Sequence, residues 1–457
     1  MSNYVFKVNP QDVTFVATNF RKIQTKIPAP GTQEILDSLS QFESRSMHGQ
    51  LPIVWDQAKD FHVIDCGGNR FIDFTSTIFV ANVGHGNERV KTYVKGILDQ
   101  SLLATYAYPS KIRAEYTARL VEFAGPAFEK AFLMSAGTEA TEAALKLMRM
   151  HGQKIKKGKN LVITINGNWH GRTMGAQSLS SNEIQKQWLG DADVFIRHLE
   201  FPYPWLLQDS DPVEFLHRSI EKLKSEGVDL SQDVSGIMLE TFQGWGAVFY
   251  PQEYVKEIRT ICDKYEILLA FDEMQAGFGR TGKKFGFEHY EVTPDLVCCG
   301  KGMGGGFPLS AVIGKANIMD LPSVGNMSST HSGNPVVCAA GLAVLDEIRD
   351  HDLINESMRK GQILHAELNR IQGKNKNLIS SIQGIGLIAA VIFNQNFTSD
   401  LNDYVSRVAE LCMQKGLLVV HTGRESIKIG PPLTISEEAL IEGVRVLEEA
   451  IDEIFKK

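Results

Sequence analysis

The chain has 457 residues, of which 43% are hydrophobic and 22% charged, and its formal net charge is −7. These fractions exclude a disordered or collagen-like chain. At about 150 residues per domain the length suggests roughly three units, although large α/β enzymes stretch one domain further. With no basic excess to neutralise phosphates, no nucleic-acid partner is expected.

The opening segment, Met1 to Phe15, carries no apolar core of a signal peptide. No apolar run reaches the ~18 residues a membrane helix needs. Six cysteines without a CxxC pair suggest a reducing, cytoplasmic setting. The first 60 or so residues are mixed, with a loop signal at Ile27 to Gly31. A strand pair follows, Phe61–Asp65 and Arg70–Asp73, joined by the turn Cys66-Gly-Gly-Asn69.

From about residue 112, helical patterns alternate with short apolar runs at Ala131–Ser135, Leu161–Ile165, Val234–Glu240, Ile267–Asp272, Asp295–Cys299 and Ser310–Ile313. Thr138–Lys156 and Glu253–Tyr265 have helical periodicity. Continuous apolar strands between helices predict an α/β fold with a mostly parallel sheet covered on both faces. After Pro335 the pattern gives helices to Asp350 and from Leu353 to Ile371, then strand-like segments Leu378–Phe393 and Leu417–His421 around a helix at 400–415. A last helix runs from Ser436 to Phe455. The predicted organisation is an N-terminal segment, 1–74, that contributes to a small domain, a large domain at 75–335, and a C-terminal small α+β domain at 336–457.

In such sheets ligands gather at the carboxyl ends of strands, and unusual residues stand there. Lys301 lies among glycines just past Leu296–Cys299, where desolvation would make a nucleophilic amine, although a solvated loop lysine is an equal reading. Gly300, Gly302 and Gly305 satisfy GxGxxG, and Asp320 lies where a ribose-binding acid would stand. Pro308 and a strand follow instead of a helix, so a dinucleotide site is not expected. Asp272 ends a buried strand and needs a partner. Ser135-Ala-Gly-Thr-Glu-Ala140 opens a helix, either as an anion site or as a simple cap. In Asn168-Trp-His-Gly-Arg-Thr173, Trp169 could stack on a flat ligand and Arg172 could grip a carboxylate, or they could be a plug and a surface ion pair. His170 suits an orienting role better than catalysis. Glu240 is one more strand-terminal acid. Cys298 and Cys299 point to opposite faces of a strand and read as core. There is no HExxH, no Cys or His ligand cluster and no Gly-x-Ser-x-Gly elbow, so no metal is expected.

Taken together, Phe271-Asp-Glu-Met-Gln-Ala-Gly-Phe-Gly-Arg-Thr-Gly282, Pro294-Asp-Leu, Gly300-Lys-Gly302 and Thr330-His-Ser-Gly-Asn-Pro335 resemble the class III aminotransferases, pyridoxal-phosphate enzymes of fold type I. Asp272, Lys301 and Thr330 are evenly spaced, as in that family, and the likeness runs from about residue 50 to the C-terminus. It implies that Lys301 carries the cofactor as a Schiff base and that Asp272 pairs with its pyridine nitrogen. Gly137 and Thr138 would bind its phosphate, Trp169 would cover its ring where the family usually has Tyr or Phe, Gln275 would meet the ring hydroxyl, and Glu240 would sit close by. Thr330 would reach the phosphate of a neighbouring subunit, which implies a homodimer with shared active sites.

The sequence departs from 4-aminobutyrate-type members at Trp245, where a glutamate is usual, and at Lys428, where an arginine is usual. Lys428 could still hold a carboxylate as a point charge, and Arg424 is a nearby substitute. Arg172 keeps recognition of one carboxylate. The resemblance implies transfer of an amino group from an ω-amino acid or other primary amine, 4-aminobutyrate being the plainest guess, to a 2-oxo acid. The alternatives are a racemase, aminomutase or decarboxylase on the same scaffold, and a non-catalytic binding protein of the same fold.

Overall fold

The computed structural model describes residues 4–190, 194–208 and 210–455, so the first three residues of the N-terminal segment read above lie outside it. Contacts divide the chain into two compact units. Unit 1 comprises residues 1–87, 245–247 and 355–457, and unit 2 comprises 88–244 and 248–354.

Unit 2 is built on a seven-stranded sheet. Its order is Lys130–Met134, Ser310–Gly314, Leu296–Cys299, Leu268–Asp272, Val234–Glu240, Leu161–Ile165 and Ile196–Leu199. Ser310–Gly314 pairs antiparallel with both neighbours, and the other pairs are parallel. The sequence runs had foreseen six of these strands; Ile196–Leu199 has no comparable apolar run and was missed. The five strands from Ser310–Gly314 to Leu161–Ile165 are buried at every position, which is why they read as unbroken apolar runs.

One face is covered by the helix Gly137–Ile155, whose buried side includes Ala140, Ala144, Leu147 and Met148 at helical spacing. The small alanines let it lie close, so that Cys298 Sγ comes within 3.7 Å of the Ala140 carbonyl. Cys298 and Cys299 are both buried and free, as core residues. The helix Pro335–Asp350 packs with Glu88–Asp99 and Lys111–Ala124, where a side chain at Gly341 would strike Tyr116. That packing moves the domain boundary. The sequence reading placed 336–350 with the C-terminal domain, but this helix belongs to unit 2, and the divisions fall after 87 and 354. The helix is apolar almost all round, a pattern that names burial but not the partner.

Unit 1 holds an antiparallel sheet containing Trp55–Lys59, His62–Asp65 and Arg70–Asp73, which Leu417–Leu418 joins as a parallel strand. Leu378–Phe393, read as one strand-like segment, is two antiparallel strands, Ile379–Gln383 and Ala389–Phe393, because Gly384 and Gly386 take positive φ between them. Leu417–His421 likewise splits between two sheets. Ser76 to Phe79 form a left-handed turn with φ of 47°, 55°, 57° and 68°, a conformation that disfavours side chains at every position. It persists because it is tied down. Ser76 donates to the Gly430 carbonyl at 2.6 Å, and the Asp73 carboxylate holds both Thr75 Oγ1, at 2.6 Å, and His85, at 2.7 Å. Among the described residues no helix is long and apolar enough to cross a membrane.

Candidate active site

The parallel order brings four strand ends of unit 2 to one edge. Asp272 stands in register with Glu240 on one side and Cys298 on the other, so Gly300 and Lys301 follow the strand next door. The loop after Ile165 supplies Asn168 to Arg172, and the turn after Met134 opens the helix at Gly137. Because its strand runs the other way, Ser310 reaches the same edge and donates to the Ala136 carbonyl at 2.7 Å.

Asp272 is buried. One carboxylate oxygen accepts the Met274 N–H at 3.0 Å and the other lies 2.8 Å from His170 Nδ1. His170 Nε2 meets Thr164 Oγ1 at 3.2 Å and Asn168 Nδ2 at 3.3 Å, and Asn168 in turn accepts from Gln243 at 3.0 Å. The orienting role foreseen for His170 therefore has a defined object. Glu240 accepts the Trp169 N–H at 3.0 Å and Gln275 Nε2 at 3.1 Å. Burial pushes its carboxyl up to about 7, and the neighbouring Asp272 charge acts in the same direction.

Lys301 takes φ +45°, a left-handed value uncommon for a residue with a side chain. Burial lowers the pKa of its amine, against the pull of the Asp272 and Glu240 charges. Among the described residues Lys301 Nζ has no hydrogen bond or salt bridge.

At the helix start, Gly137 packs under Met274, whose Sδ would lie 2.8 Å from a Cβ placed there. Thr138 Oγ1 pairs with Thr173 Oγ1 at 2.7 Å, and Thr173 donates to Glu142 at 2.6 Å, which also accepts the Gly175 and Ala176 N–H groups. This link ties the helix start to the loop bearing Trp169 and Arg172. Sequence reasoning missed it, although Glu142 lies one helical turn beyond Thr138. Gly171, at φ +142°, passes so close to Thr138 that a side chain has no room. Arg172 is exposed and lies over the Trp169 ring, its Cζ 4.5 Å from the centroid.

The geometry thus gathers Lys301, Asp272, Glu240, Gln275, Trp169, Arg172, Gly137 and Thr138 within unit 2. Thr330, also of unit 2, is exposed on the segment before Pro335, and among the described residues no hydrogen bond or ion pair joins it to this group. Lys428 belongs to unit 1, where its amine lies 4.8 Å from the Phe79 ring centroid.

The sequence profile described as Aminotransferase class-III matches residues 44–451. The chain belongs to that family. It is 31% identical to the acetylornithine aminotransferase of Caldanaerobacter subterraneus subsp. tengcongensis over 89% of this chain and 96% of the relative. It is 30% identical to the ornithine aminotransferase of Saccharomyces cerevisiae over 92% and 98%. Among solved structures, an ornithine aminotransferase from Toxoplasma gondii superposes with a TM-score of 0.83 at 25% identity, covering 93% of this chain and 96% of that one. An aminotransferase from Bacillus anthracis superposes at 0.84, also at 25% identity, over 94% and 100%.

Class III aminotransferases depend on pyridoxal phosphate, and the residues present fit it. Each Asp272 oxygen still has a lone pair for a ring N–H beyond the bonds it already makes. The 19-residue helix Gly137–Ile155 begins just after the strand end at Met134, and the Gly137 and Thr138 N–H groups precede its hydrogen-bond ladder, where an anion can be held. Among the described residues the Lys301 amine has no hydrogen-bond or ion-pair partner.

Proposed function

We propose that this aminotransferase moves an amino group from an ω-amino acid or other primary amine, 4-aminobutyrate being the plainest donor, to a 2-oxo acid. The observation that carries this reading is the desolvated, unpartnered Lys301 amine beside the His170-anchored Asp272 carboxylate. Pyridoxal phosphate, when bound, supplies a carbonyl for covalent attachment of amines and a ring that draws electrons from the attached carbon.

Lys301 Nζ is the attachment point. The same nitrogen, when free, would be the group that takes a proton from the donor carbon, and burial, which lowers the pKa of its amine, favours the neutral form that can do so. Asp272 holds a proton at the ring nitrogen and His170 keeps that carboxylate in place. Gly137 and Thr138 bind phosphate through backbone N–H groups, and Trp169 covers one ring face. Glu240 orients Gln275 toward the ring hydroxyl. Thr330 serves the phosphate of a second copy, which makes the enzyme a homodimer with shared active sites. Arg172 holds a substrate carboxylate beside Trp169, and Lys428 offers a second charge of the same sign.

An ω-amine donor accords with relatives named for ornithine and acetylornithine, both of which carry an amino acid head and a nitrogen at the far end. A cytoplasmic location accords with six free thiols. The test is the visible absorbance of the purified protein titrated with single donors in the absence of acceptor. Bleaching by 4-aminobutyrate or ornithine supports the reading. Bleaching only by 2-amino acids lacking a second amine overturns the donor class.

A further inference from the structure

Glu273 follows Asp272 in the chain, and none of the roles above uses it. It is buried, and its carboxylate gathers donors from two other segments of unit 2. Oε1 accepts the Thr241 hydroxyl at 2.5 Å and the Phe287 N–H at 2.8 Å, and Oε2 accepts the Gly286 N–H at 2.7 Å. Burial pushes the carboxyl up to about 7, the three bonds act against burial, and the Asp272 charge acts with it. An acid in such a place costs the fold stability unless its oxygens are taken. Thr241 is held a second time. The Tyr290 hydroxyl donates to its carbonyl at 2.5 Å and accepts the Tyr250 N–H at 3.2 Å. Gly286 packs so tightly on Thr241 that a side chain there would strike its Cγ2.

The site hangs on Thr241 from both sides along the chain. Glu240, the residue before it, serves the Trp169 N–H and Gln275. Gln243, two residues on, donates to Asn168 Oδ1 at 3.0 Å and to the Asn166 carbonyl at 2.8 Å. Asn168 meets His170, and His170 meets Asp272. These contacts close a ring that runs from Asp272 through His170, Asn168 and Gln243, back along the chain to Thr241, across to Glu273 and through one peptide bond to Asp272. A second ring, of Glu240, Thr241, Glu273 and Gln275, shares the same Thr241–Glu273 bond. His170 holds Asp272 at its side chain, and the shared bond holds it through the backbone. Breaking that bond opens both rings at once, so the groups they align gain freedom together.

We propose that Glu273 is a positioning residue for amino-group transfer, which through Thr241 keeps Asp272 and the Glu240–Gln275 pair aligned with each other. This rests on the reading of the site given above and names the bond that keeps its parts together. The test uses Thr241→Val, which removes the hydroxyl at nearly constant shape, and Thr241→Ser, which keeps it. Glu273→Gln exchanges one acceptor oxygen for a donor, and the double variant Thr241→Val/Glu273→Gln completes a cycle. The maximal rate and half-saturating concentration of band bleaching by 4-aminobutyrate and by ornithine are measured on each holoenzyme. In the cofactor-free protein the low-field proton resonance of His170 Nδ1–H, assigned by its absence from His170→Phe, is followed, together with the urea midpoint.

Thr241→Val is expected to lower the maximal rate about tenfold with any donor the parent accepts, as loss of a hydrogen bond to a charged group implies, and to leave the half-saturating concentration within about twofold. Thr241→Ser stays within about threefold of the parent rate, because it keeps that bond. The His170 resonance shifts or broadens in Thr241→Val and Glu273→Gln and keeps its place in Thr241→Ser. The double variant is no slower than the slower single one, since both break the same bond. Three results overturn the proposal: a parent rate and an unmoved resonance in Thr241→Val, a Thr241→Ser as slow as Thr241→Val, or losses that multiply in the double variant. A lowered urea midpoint beside parent rate and resonance overturns it too, because the clamp then serves the fold alone. Should Glu273→Gln not fold, the two Thr241 variants decide the matter. Failure of the aminotransferase reading shows separately, as a parent protein whose band no donor bleaches, while the resonance of the cofactor-free protein still reports on the clamp.

Discussion

His170 Nδ1 lies 2.8 Å from Asp272 Oδ2, with both side chains all but closed to water. A carboxylate only accepts hydrogen bonds, so the imidazole donates, and the Thr164 and Asn168 contacts at Nε2 fix the ring. Removing one partner of a buried charge-assisted bond costs about 1.5–3 kcal/mol, or roughly 10- to 100-fold in rate where the group must be positioned. His170→Phe should lower kcat by about that factor and shift the cofactor's visible band. Asp272→Ala should cost more, on the order of 10³-fold, because it removes the charge itself. If His170→Phe reacts at the parent rate with an unshifted band, the histidine does not position Asp272.

Glu240 makes stability depend on pH. Its carboxyl sits at about 7 in the folded chain against 4.5 for the ordinary group, chiefly through burial, with the Asp272 charge acting in the same direction. The folded state therefore holds a proton that the unfolded chain releases. The associated stability is complete below about 4.5 and is lost as pH rises through 7, with a full extent of roughly 3 kcal/mol. Glu240→Gln cannot ionise, so urea unfolding of the cofactor-free variant should lack this loss, and the two stability curves should diverge between pH 5 and 8. Parallel curves would show that Glu240 ionises freely.

Gly171 is held at φ +142° against Thr138. Alanine there meets both a disfavoured backbone and the Thr138 hydroxyl, and should destabilise the protein by about 2–4 kcal/mol. The denaturant midpoint reads the effect. A midpoint equal to the parent's would mean that the loop relaxes at no cost, and that its link to the helix start is not rigid.

Arg172 is exposed and stacked on Trp169, so its contribution should appear only with substrates that carry a carboxylate. Arg172→Ala should lower kcat/KM for 4-aminobutyrate by about 10- to 100-fold relative to n-butylamine. Equal losses for the two donors would sink the carboxylate role and leave Arg172 as a cover for the indole.

Much of the site was legible because its residues sit at strand ends, and buried parallel strands announce themselves as unbroken apolar runs. Asp272, Lys301, Glu240 and Gly137 could be picked out as residues that do not belong in the runs they terminate. The strand Ile196–Leu199 was not legible, since at the sheet edge it lacks full burial and so lacks an apolar run. The helix 335–350 was read correctly as a helix, yet its unit was misassigned, because periodicity reports that a face is buried and not against what.

From its sequence alone this protein's family, its cofactor and the identity of its strand-end residues are determined, since those depend on residue type and spacing along the chain. The tertiary structure decided which of them touch. That His170 holds Asp272, that Glu240 serves both Trp169 and Gln275, and that Arg424 lies on Trp245 are contacts between residues far apart in the chain. They are set by sheet order and by how the loops between strands pack, and no local pattern encodes them, because such packing joins segments whose separation in sequence leaves no trace in either one.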